Sequence, residues 1–200
     1  MSFFTHLWEG IRTTSIIEWL AVTSSIIYVF LAAKRIILCW LFAFIGSSLF
    51  VYLCYIGQLY IESILQFFYV IMAIIGWLSW NKTNTTIRSI KKWSSYNHIL
   101  NIIVCAFLAF LIGFIFNKYT HQANPYVDAF TTCFSLSATF MVIQKIIGNW
   151  VYWILIDLVS IYLYAQRGYH LTAFQYGIFT LLAIYGYMTW KKEYRHQRLC

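Results

Sequence analysis

The chain has 200 residues, 62% hydrophobic and 10% charged, with a mean hydropathy of +0.70 and a net charge of +8. A soluble domain averages about 25% charged residues, so this composition excludes a soluble enzyme or binding module and points to an all-α integral membrane protein. The positive charge does not mark a nucleic-acid binder, because the basic residues gather at the ends of apolar runs, where they report membrane orientation.

Residues 1–16 have neither the basic start nor the small-residue cleavage site of a signal peptide, and read as an interfacial lead-in lying on the membrane. Seven apolar runs follow, at 17–33, 36–55, 60–80, 99–117, 127–143, 146–164 and 171–190, each near the length of a spanning helix. The single proline, Pro125, lies in a polar stretch, so uninterrupted helices are expected. Cys39, Cys54, Cys105 and Cys133 lie in or at the ends of these runs as small apolar fillers, and no disulfide framework or metal site is expected.

Numbering the helix ends alternately puts Arg12, Lys118 and Arg167 on one side and the other eleven basic residues on the opposite side. The basic side is expected to be cytoplasmic, which places the N-terminus outside and the C-terminus inside.

Sliding the sequence by 110 positions reveals an internal repeat. Trp40 meets Trp150, Gly76 meets Gly186, Trp80 meets Trp190, Arg35 meets Lys145 and Glu18 meets Asp128. The expected organisation is a first three-helix unit at 17–82, a linker with the fourth helix at 83–126, a second unit at 127–192 and a cytoplasmic tail at 193–200. One crossing between two three-helix units gives them the same sense, a parallel pseudo-repeat whose transport sites lie between the units near the midplane.

Asn149, Trp150, Trp153, Asp157, Ser160 and Tyr164 fall within one arc of roughly 100° on the sixth run. A carboxylate near the bilayer midplane costs at least ~2.5 kcal/mol if it faces lipid, so Asp157 should face protein or water. Two readings compete for this face: the lining of a solute site, or a structural hydrogen bond to a neighbouring helix. The repeat favours the first, since Asn149, Trp153 and Asp157 stand opposite Cys39, Ala43 and Ser47, whereas Trp150 has its mate in Trp40 and reads equally as scaffold. Gln66 and Tyr69 share a face of the third run, and the mate of Gln66 is Tyr176 in the seventh. For these three, interhelical packing or hydrogen bonding is the alternative to solute contact. Glu18, Glu62 and Asp128 lie at outer helix starts, where carboxylates complement the helix dipole.

The stretches NWVYWILIDLVSIYLY (149–164), IIGWLSWNK (74–82) and LTAFQYGIFTLLAIYGYMTWKK (171–192) resemble the PnuC family of vitamin-precursor transporters. The resemblance implies a seven-helix 3+1+3 core akin to the SWEET sugar transporters, often a homotrimer, in a bacterial inner membrane. It also implies facilitated diffusion of nicotinamide riboside, with a cytoplasmic kinase trapping the product. Thiamine and deoxynucleosides are the alternative substrates. The family's aromatic and amide ligands map onto Gln66, Tyr69, Asn149, Trp150 and Trp153. Asp157 and Tyr176 join them on the physical argument above: nicotinamide riboside and thiamine are flat heterocyclic cations suited to indole stacking and a nearby carboxylate.

No phosphate-binding loop is present, so direct drive by ATP is not expected. His6, His98, His121, His170 and His196 all read as loop or tail residues, and no mid-helix lysine is present, which argues against a haem or retinal protein and leaves no enzyme or cofactor expected. A helical scaffold or receptor without transport is the remaining class.

Overall fold

A computed structural model of the chain describes residues 15–57, 60–81, 89–119, 124–166, 168 and 170–199. The expected lead-in at 1–16 lies almost wholly outside them. The described residues form seven helices: α1 Ile16–Ala33, α2 Cys39–Ile56, α3 Tyr60–Asn81, α4 Ser95–Tyr119, α5 Pro125–Ile143, α6 Asn149–Gln166 and α7 His170–Gln197. Six are long and apolar enough to cross a membrane; the exception is α6, whose amide, carboxylate and aromatic residues dilute its hydropathy.

Two helices extend beyond their apolar runs, for local reasons. At the start of α4, the Ser94 hydroxyl accepts from Asn97 N at 3.3 Å, so the polar residues from Ser95 to His98 are wound into the helix. At the end of α7, helix-favouring charged residues carry the helix to Gln197, which the sequence assigns to a tail. There Glu193 pairs with Arg35, and the Gln197 side chain accepts from Ile90 N at 3.1 Å. The expectation that every histidine lies in a loop or tail is thereby corrected. His98, His170 and His196 are helical, while His6 and His121 lie outside the described residues. His98 packs on Tyr152, with Nδ1 3.3 Å from the phenol oxygen.

The packing forms a closed ring. α1 packs on α2, α2 on α3, α3 on α5, α5 on α6, α6 on α7, and α7 back on α1. α4 stands outside the ring against α5. Flanked on three sides, α5 is 50% buried, against 17–22% for the other candidate spans, which present apolar side chains outward.

Residues 110 apart take matching local geometry. The Trp40 and Trp80 rings meet edge to face at 5.4 Å and 89°, and those of Trp150 and Trp190 do the same at 5.4 Å and 89°. Trp80 Nε1 donates to Ile143 O at 3.0 Å, joining α3 to the end of α5. Reciprocally, Trp190 Nε1 donates to Ala33 O at 3.1 Å, joining α7 to the end of α1. These bonds satisfy carbonyls that a helix end leaves open.

Gly76 and Gly186 provide the sockets for the paired indoles. A Cβ at Gly186 would lie 2.7 Å from the Trp150 ring, and one at Gly76 would overlap Trp40. Gly186→Ala is therefore expected to destabilise the protein by about 1–3 kcal/mol through overpacking. The check is thermal unfolding of the detergent-solubilised protein; an unchanged Tm would mean that Trp150 is not wedged there.

The turns after α1 and α5 also match. Arg35 (φ 56°) and Lys145 (φ 57°) adopt the left-handed conformation, and Arg35 N and Ile36 N bond back to Ala32 O and Leu31 O. Lys145 N and Ile146 N bond back to Val142 O and Met141 O in the same pattern. This helix-ending motif ordinarily takes glycine. A side chain in that conformation costs roughly 1–2 kcal/mol.

Candidate functional site

The ring places a polar group from several of its helices in the interior. On α6, Asp157, Ser160 and Tyr164 follow one another at helical spacing, and Asp157 and Ser160 are only 2% and 3% exposed. Tyr176 of α7 has its ring stacked on Tyr164 at 5.4 Å and 13°, with Asp157 and Tyr69 within electrostatic range of its phenol. Tyr69 of α3 is within hydrogen-bonding reach of Ser135 on α5 and lies near Tyr28 of α1. Five helices thus contribute to one cluster of phenols, hydroxyls and a single carboxylate.

Two properties distinguish this cluster from ordinary core. Tyr28, Tyr69 and Tyr176 are deeply set among the helices, yet each retains accessible surface. In addition, Asp157 has no ion-pair partner among the described residues. An ionised carboxylate in such surroundings is costly without a compensating charge. A cationic solute supplies that charge, and phenol faces and hydroxyls supply stacking and hydrogen bonds.

Of the residues singled out in the sequence, Tyr69, Asp157 and Tyr176 come together in this cluster. Gln66 is half-buried on α3, about one turn from Tyr69. Trp153 is half-buried and packs against both apolar cores, one shared by the paired indoles and the other by α4, α5 and α6. Asn149 and Trp150 lie elsewhere. They open α6 at its basic end, about 12 Å of helix rise from Asp157, and are 0% and 2% exposed. Asn149 Nδ2 donates to Ile146 O at 2.6 Å within its own turn, and Trp150 fills the Gly186 socket. Asn149 Oδ1 and the indole N–H of Trp150 are buried without hydrogen-bond partners, as is the indole N–H of Trp40.

Sequence reasoning passed over Tyr28 and Ser135, and placed Tyr164 on the face of Asp157 without counting it among the substrate-binding residues. Tyr28 and Ser135 carry no signal beyond being polar residues within apolar runs. Among the described residues, no group of three or more His, Cys, Asp or Glu side chains comes together to hold a metal ion.

A family model described as Nicotinamide mononucleotide transporter matches residues 15–192. The nicotinamide riboside transporter PnuC of Escherichia coli strain K12 is 24% identical over 208 residues, covering 90% of this chain and 87% of that protein. The nicotinamide riboside transporter PnuC of Neisseria mucosa is 24% identical over 191 residues, covering 88% and 73%. The riboflavin/roseoflavin transporter RibM of Streptomyces davaonensis is 23% identical over 126 residues, covering 60% and 58%. The crystal structure of the Vitamin B3 transporter PnuC superposes with a TM-score of 0.77 at 21% identity, covering 97% of this chain and 90% of that one, a likeness of fold. With the family model spanning nearly all of a seven-helix membrane bundle, the chain belongs to the nicotinamide mononucleotide transporter family, whose members are multi-pass membrane transporters and not enzymes.

Proposed function

We propose that this protein carries nicotinamide riboside across the bacterial inner membrane by facilitated diffusion, with uptake driven by a cytoplasmic kinase that traps the solute as a phosphate. The observation that carries this reading is Asp157, a buried carboxylate without an ion-pair partner among the described residues, within electrostatic range of the Tyr176 phenol that stacks on Tyr164. The pyridinium ring of the solute brings a fixed positive charge on a flat aromatic face, which answers both features. Tyr69, Gln66 and Trp153 complete the lining from α3 and α6. Asn149 and Trp150 stand behind this lining as packed scaffold at the basic end.

In this account the units 17–82 and 127–192 are related by an axis along the membrane normal, and rocking of one against the other exposes the interior to either side. The basic ends of the helices face the cytoplasm, the N-terminus lies outside, and the protein works as a homotrimer. Two 24%-identical relatives that carry nicotinamide riboside support the substrate, and the RibM relative keeps a second vitamin class in view.

The substrate is tested by titrating the purified protein with nicotinamide riboside, thiamine, riboflavin and a deoxynucleoside. The expected result is tightest binding of nicotinamide riboside, with thiamine second because it shares the cationic ring. Riboflavin is neutral and offers Asp157 no charge, so preference for it would remove the role given to that carboxylate.

A further inference from the structure

A cavity of about 350 Å³ opens at the basic end, lined by Lys34, Arg35, Ile37, Trp80, Asn81 and Lys145. It lies where the turn after α1 meets the turn after α5. We propose that this cavity is a binding site for a phosphate monoester, distinct from the cation site within the ring.

Three observations converge. The first is charge. Lys34, Arg35 and Lys145 bring three positive charges, and Glu193, paired with Arg35, brings one negative charge. A phosphate monoester, about −1.5 to −2 at neutral pH, is opposite in sign to this lining. The second is burial. Lys145 is only 5% exposed, and its ammonium sits 4.9 Å from the centre of the Trp80 ring. The backbone around it is pinned, since Lys91 N donates to Lys145 O at 2.9 Å and Ile147 N donates to Lys91 O at 2.9 Å. Arg35 and Lys145 are thus held by the fold, and a preorganised guanidinium and ammonium are a recurrent way to grip phosphate oxygens.

The third observation is backbone conformation. Arg35 and Lys145 are the non-glycine residues with positive φ among the described residues, and they stand at matching places in the two halves of the chain. Glycine would end either helix without strain. A strained conformation held at two corresponding turns, each by a basic residue whose side chain enters one cavity, points to a requirement for the side chains.

The phosphate can come from a soluble monoester, such as the phosphorylated product of the proposed transport, or from an anionic lipid headgroup. The experiment separates the two. Thermal unfolding of the purified protein is followed in neutral detergent with inorganic phosphate, with nicotinamide mononucleotide, and after exchange into vesicles with and without phosphatidic acid. Lys145→Gly is run in parallel, since glycine removes the charge while relieving the turn. We expect a concentration-dependent rise in Tm with a phosphate ligand, shifted to at least roughly tenfold higher concentration in Lys145→Gly. The variant's own Tm should be no lower than the parent's. A response to soluble phosphates identifies a soluble ligand, and a response confined to phosphatidic acid identifies a lipid. No response to any of them, or an equal response in Lys145→Gly, overturns the site. Should that variant fail to fold, Lys34→Gln at the exposed rim serves the same comparison. The readout does not involve nicotinamide riboside, so its outcome is independent of the transport assignment.

Discussion

Asp157→Asn is expected to weaken nicotinamide riboside binding by roughly 10- to 100-fold, equivalent to about 1.5–3 kcal/mol for a charge-assisted contact. The substitution preserves shape and hydrogen-bonding capacity while removing the charge. In the empty protein it should be neutral or stabilising, because a buried amide carries a smaller desolvation cost than a buried carboxylate with no cation beside it. The signature is therefore opposed: affinity falls while Tm holds or rises. If Asp157 instead anchors a structural hydrogen-bond network, Tm should fall and the affinity of the surviving folded protein should stay. Titration calorimetry with parallel thermal unfolding separates the two outcomes, and riboflavin, being neutral, provides a ligand whose binding the charge should not control.

The second large effect is expected at Trp153. Truncation to alanine removes a half-buried indole that packs against both apolar cores. Loss of a desolvated cation–π contact alone corresponds to about 2 kcal/mol, or roughly 30-fold in affinity, before any apolar contact area is counted. Some stability will also be lost, though less than the roughly 3–5 kcal/mol of a fully buried tryptophan. Trp153→Phe separates these contributions. It keeps an aromatic face, so binding should recover in part, whereas Trp153→Leu should restore packing without restoring affinity. Equal affinity in the leucine and phenylalanine variants would place the ring of the solute elsewhere in the bundle.

Much of the architecture was legible because it rests on short-range physics. The apolar runs have the length of spans, and each appears as a helix at nearly the expected place. The 110-residue offset is visible because tryptophan, glycine and charge recur together, and the paired indoles and their glycine sockets show why: each ring needs its socket at a fixed spacing. The extra turns of α4 and α7 were not legible from hydropathy, since a serine cap and an Arg35–Glu193 ion pair extend those helices through polar residues.

The candidate site was legible in part. An arc on one helix shows which side chains share a direction, but not how far along the axis the neighbouring helices leave room. Asn149 and Trp150 share the direction of Asp157, yet lie where α6 begins and the socket of Gly186 closes on the indole. Trp40 gave a warning in the sequence, because a residue matched in both halves serves the shared scaffold first. Tyr28 and Ser135 enter through the closure of the ring, a long-range arrangement that no local pattern encodes.

In the proposed function the ring interior passes a cationic nucleoside without an energy source of its own. The most direct test is entry of labelled nicotinamide riboside into proteoliposomes containing only this protein, with no kinase, no nucleotide and no ion gradient. The account predicts saturable entry that stops when internal and external concentrations are equal, is unchanged by a proton ionophore, and is strongly reduced by Asp157→Asn. Entry no faster than in protein-free vesicles, or entry that appears only when a proton gradient is imposed, would contradict it.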